Sequence, residues 1–108
     1  MKDLEFERRK ARALLAIREA HGTEDGANSI DLFVAHHLEE LPEGYWQEQL
    51  ATAKPDVAAV IRLLVLRSSW GRSDLEHFDF TLPNEVTNYV VSVHFDEAGE
   101  IDGIDMES

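Results

Sequence analysis

Chemistry in this chain would have to start from histidines and carboxylates. A histidine beside a carboxylate can move a proton or hold a metal ion, and two stretches bring the types together. In HFDFTL and NYVVSVHF, His77 and Asp79 share one alternation parity, as do Ser92 and His94. With the phenylalanines turned to a core, these four polar residues face away from it, and Asp102 becomes a neighbour of His94 across a hairpin. A His77/Asp79/His94 group would suit a small metal-dependent or acid/base enzyme. The same residues also make an ordinary polar sheet face. In VAHHLEEL, His36 and Glu40 stand one helical turn apart, as metal ligands often do, but two ligands are too few and no HExxH pattern is present. His37 falls within the stripe of Ile30, Val34 and Leu41 and reads as a core histidine with its hydrogen bonds satisfied. Neither cluster leads us to expect a metal, and no cofactor is expected.

The tail HFDEAGEIDGIDMES is the densest acidic segment. A calcium loop of the EF-hand kind needs oxygen ligands at its first, third and fifth positions and glycine at the sixth. Counting from Asp96, the third position is Ala98 and the sixth is Ile101, so the pattern fails. Asp96-Glu97-Ala98-Gly99 instead matches a type I turn closing a bulged hairpin. Ile101 and Ile104 have opposite parity, and an extra residue near Asp102-Gly103 would bring both to the core face. No P-loop, GxGxxG or GxSxG motif occurs.

The elements that must position these groups follow from hydrophobic period. The first helix is expected from Asp3 to about Ala20, with Gly22 just past its end and Leu4, Ala11, Leu14, Leu15 and Ile17 as its apolar stripe. The RRKAR segment reads as the wet face of that helix, with Glu5 placed to pair with Arg9. GTEDGANS is a polar loop, and Asn28 with Asp31 makes an approximate capping box for a second helix, which Pro42 ends. A short helix over YWQEQLATA follows. A fourth helix begins at Pro55 and runs to Gly71, apolar almost all round and therefore central. Trp46 and Trp70 both read as core anchors. From about residue 75 the period becomes two, giving a three-stranded antiparallel meander with a turn at Pro83-Asn84. The expected fold is α+β: a single domain over 1–108, with about four helices (about 3–70) on one face of the sheet (about 75–107).

Composition narrows the partners. The 108 residues carry a net charge of −12, and none is cysteine, which fits a cytoplasmic protein. The start of the chain is too charged for a signal peptide, and no apolar run approaches a membrane span. Residues 1–21 hold six of the ten Lys and Arg, whereas residues 73–108 hold ten acids and no Lys or Arg. Nucleic acid is bound chiefly through Lys and Arg, so it is not an expected partner.

The run SSWG…FDFTLPNEVTNYVVSVHFDEAGEIDGIDMES, together with HHLEEL, resembles a bacterial family of small cytosolic proteins, domain of unknown function two-thousand-and-four. The resemblance is carried by DFTLP, TNYVVSV and DGIDMES. It implies an α/β fold and brings no catalytic residues with it. Small size and missing catalytic motifs favour a non-catalytic module whose acidic sheet docks a basic protein, an immunity protein against a nuclease toxin being the sharpest version. Asp79, Asp96, Glu97, Glu100 and Asp102 are its expected contact residues.

Overall fold

The computed structural model describes residues 2–108, and side chains from residue 3 onward. Five helices come first: α1 (Lys2–Ala20), a single-turn α2 (Glu24–Ala27), α3 (Ile30–Glu40), α4 (Glu43–Leu50) and α5 (Val57–Leu63). Four strands follow in one antiparallel sheet of order β1-β2-β3-β4: β1 (Val65–Trp70), β2 (His77–Thr81), β3 (Val90–Phe95) and β4 (Ile101–Glu107). The α+β architecture is as expected, but the sheet has four strands rather than three. The additional strand is taken from the back of the expected fourth helix. That helix stops at Leu63, because Leu64 turns extended (ψ 136) and VLRSSW pairs with β2 from Val65↔Thr81 to Trp70↔His77.

The core is where the helices meet one sheet face. Ile17, Phe33, Val34, Trp46, Val60 and Ile61 pack with Phe78, Phe80, Val91, Val93 and Phe95. Successive strand residues point to opposite sides, so the phenylalanines of β2 go in while His77 and Asp79 go out. Trp46 is a core anchor as read, but Trp70 is 47% exposed. On α1 the buried residues are Ala13, Ile17 and Ala20, and Phe6 packs on the core against Phe78; Leu4 and Leu15 face solvent, which corrects the expected stripe. The loop after α1 is also more ordered than its polarity implied. Thr23 caps α2 by accepting from the Gly26 N–H. Asp31 does not box with Asn28. It accepts instead from the Gly22 N–H (2.8 Å) and lies 2.6 Å from His21 Nδ1.

The basic segment of α1 is not simply a wet face. Arg9 donates to the Leu75 carbonyl at 2.8 Å and lies over the Phe95 ring, 5.3 Å from its centre. Arg12 donates to the Gly99 carbonyl (3.2 Å) and to Glu100 (3.1 Å). Glu5 accepts from both Arg8 and Arg9, which hold its carboxyl down to about 2. The basic N-terminal third thus clamps the acidic C-terminal hairpin.

Candidate functional site

The sheet face turned away from the helices carries the polar side chains. Its make-up depends on two bulges. In β1 the register shifts between Leu66 and Ser68, leaving Arg67 as the extra residue, so Ser68 lies opposite Asp79 and Trp70 opposite His77. In β4 the shift falls between the partners of His94 and Phe95, which are Gly103 and Ile101, and Asp102 is the extra residue. This is the expected bulge, and Ile101 and Ile104 both pack against the core. Two rows then cross the outer face: Trp70–His77–His94–Gly103 and Ser68–Asp79–Ser92–Asp105.

In the first row the Trp70 and His77 rings stack, with centroids 3.8 Å apart and planes 11° from parallel, and His77 meets His94 edge-on at 4.4 Å. Between the rows, the Trp70 indole N–H donates to Asp79 Oδ2 at 3.0 Å. His94 does not neighbour Asp102. The bulge slides the strand so that His94 Nε2 lies 3.7 Å from Asp105 Oδ2 and 3.7 Å from Glu107 Oε2. Those distances exceed a hydrogen bond. Ser92 is 1% exposed and its hydroxyl has no partner; His77 Nδ1, Asp79 Oδ1 and His94 Nε2 are likewise shielded and unpaired.

Sequence reasoning missed Trp70, Asp105 and Glu107. A signal for the last two was present: they share parity in IDGIDME, and counting through the bulge at Asp102 places Asp105 beside Ser92.

The other acids are divided by structural duty. Asp96 Oδ1 accepts from the Ala98 and Glu100 N–H groups (2.9 and 3.0 Å), and the Gly99 N–H closes the turn on the Asp96 carbonyl at 3.0 Å. Asp96 is therefore a turn-forming residue and Glu100 is the partner of Arg12, while Glu97 and Asp102 are exposed. The α3 pair stays apart from all of this. His36 packs edge-on to Tyr89 at 5.0 Å, and no group of three metal-capable side chains among the described residues includes His36 or Glu40.

His37 is the buried histidine its position implied, at 1% exposure. Its Nδ1 lies 2.7 Å from the Phe33 carbonyl, which can only accept, so Nδ1 carries the proton; Nε2 accepts from the Thr87 hydroxyl at 2.8 Å. Both nitrogens are used, which removes His37 as a ligand. Burial pushes its pKa below the ordinary 6.5. The unfolded chain binds the proton near that ordinary value while the folded chain does not, so the stability His37 contributes is full above about pH 6.5 and is lost as pH drops below it. Urea midpoints should decrease from pH 7 to pH 5, and the decrease should be smaller in His37→Gln. Equal slopes would reject this assignment. Glu5, lowered to about 2, titrates below that window.

Comparisons with family models, with curated proteins and with solved structures return no match. No helix among the described residues is long and apolar enough to cross a membrane.

Proposed function

We propose that the protein is a non-catalytic, cytoplasmic binding module whose open sheet face docks a basic protein partner, in the way an immunity protein covers a nuclease toxin. The supporting observation is Trp70: a large aromatic, 47% exposed, on a sheet face without helix cover and beside acids. A dent of about 370 Å³ next to it is lined by Arg67, Ser68, Trp70, Asp79, Val90 and Glu107. Tryptophan is among the residues that most often anchor interfaces, and an arginine or lysine can lie over its ring. Asp79 and Glu107 border the dent, and the whole stretch of residues 73–108 holds ten acids and no Lys or Arg. Charge of one sign speeds encounter with an opposite charge and is screened by salt.

The geometry favours this over acid/base catalysis by His77, Asp79 and His94. Asp79 Oδ2 is engaged by the indole, and no hydrogen bond joins His94 to Asp105 or Glu107.

Affinity capture from the native cell, followed by kinetics with the captured partner, tests the reading. Trp70→Ala should speed dissociation at least about tenfold, as truncating an interface anchor does. Glu97→Gln with Asp102→Asn should slow association and flatten its salt dependence. Asp96 and Glu100 are left in place because they hold the hairpin. Unchanged rates for all variants at low and high salt would leave these acids as solubilising groups only.

A further inference from the structure

We infer that His94, Asp105 and Glu107 form a binding site for one first-row divalent transition-metal ion, with zinc as the ion to test. One ligand atom from each of the three side chains lies within 4.8 Å of the other two. The two contacts to the imidazole nitrogen are both 3.7 Å. Nitrogen and oxygen ligands bind zinc at about 2.0–2.2 Å, which puts two of them roughly 3.3 Å apart around a tetrahedral ion. A shift of about half an ångström brings each carboxylate to that spacing from the imidazole, and the exposed Asp105 and Glu107 side chains, within 4.8 Å of each other, are free to draw together. As it stands the spacing is too long for hydrogen bonds and too short to be indifferent: two carboxylates converge on one nitrogen.

The second observation is independent of the acids. His94 Nε2 is shielded from solvent yet has no hydrogen-bond partner, and Ser92 next to it is buried with its hydroxyl unpaired. Ser92 is the cross-strand partner of Asp105 on one side and of Asp79 on the other, so its unpaired hydroxyl shares the face that carries the cluster. Buried polar groups are nearly always satisfied by protein, water or an ion. An ion with its bound water beside His94, Asp105 and Glu107 would satisfy both. Two carboxylates and a neutral imidazole offer a charge of −2 to a dication. The imidazole favours a transition metal over magnesium or calcium, which take oxygen. Three protein ligands leave further positions to water, so the site is open rather than structural.

Titration calorimetry with zinc near pH 7 should show one ion per chain. His94→Ala and Glu107→Gln should each weaken binding at least about tenfold, a loss of the size even outer-shell changes cause at metal sites. Cobalt(II) should develop visible absorption bands that both variants lose. His21→Gln, which removes the histidine paired with Asp31, should leave affinity and bands unchanged. Glu107 is half-exposed, so its variant keeps the fold even if the histidine variant loosens the sheet. The inference is overturned if zinc fails to bind below about 1 mM, the weakest affinity worth calling a site. It is equally overturned if binding survives both site variants or disappears with His21→Gln. Trp70→Ala leaves all three ligands in place and should still bind zinc, which separates this result from partner docking.

Discussion

Gly26→Ala should lower unfolding stability by about 3 kcal/mol, the upper end of what overpacking costs. A Cβ on Gly26 would lie 1.9 Å from the Ala20 carbonyl oxygen and 2.7 Å from its carbon. Both are main-chain atoms at the end of α1, so no side chain can rotate out of the way. The same carbonyl accepts from the Thr23 N–H (2.9 Å) and the Thr23 hydroxyl (2.6 Å), so pushing α2 outward strains the bonds that start it. Gly44 in α4 is the control, because nothing lies within 4 Å of its added Cβ. Gly44→Ala should be neutral or should raise stability by up to about 1 kcal/mol, as alanine does in a helix. Urea unfolding of the two variants gives opposite signs if the α1–α2 approach is as close as described. A loss under about 1 kcal/mol for Gly26→Ala would mean that α2 moves aside at little expense.

Leu64→Ala is the second large effect, expected to cost about 2–5 kcal/mol. Leu64 is 7% exposed and belongs to the core, although it lies one residue past α5 and not inside a helix. Its neighbour distinguishes a strand from a helix here. Val65 is 43% exposed, and Val65→Ala should change stability by no more than about 0.5 kcal/mol. Chemical denaturation showing comparable losses at both positions would contradict the strand, since a helix buried all round spares neither.

Much of the architecture was legible because it is local. Phe78, Phe80 and Leu82 alternate inward, as do Val91, Val93 and Phe95, and alternation fixes the faces of a strand without knowledge of its partners. The Asp96–Gly99 turn could be read because its hydrogen bonds close within five residues. His37 was legible as a core histidine because helical phase alone puts it with Ile30 and Val34.

Other features were settled only by contacts distant in sequence. VIRLLVLRSSW is apolar enough around its circumference to serve as helix or strand. What chose the strand from Val65 onward is its ladder with β2, whose hydrogen bonds reach up to sixteen residues ahead (Val65↔Thr81). The same ladder moved Trp70 from an expected core position to the outer face, because a bulge at Arg67 reverses the parity of every residue after it. The clamp of Arg9 and Arg12 on the hairpin joins residues more than sixty positions apart and has no local signature. His94 met Asp105 and Glu107 rather than Asp102 for the same kind of reason. Sequence determined which residues could share a face, since alternation is a property of one strand; register between strands decided which of them touch, since it is set by bulges and by pairing across the whole sheet.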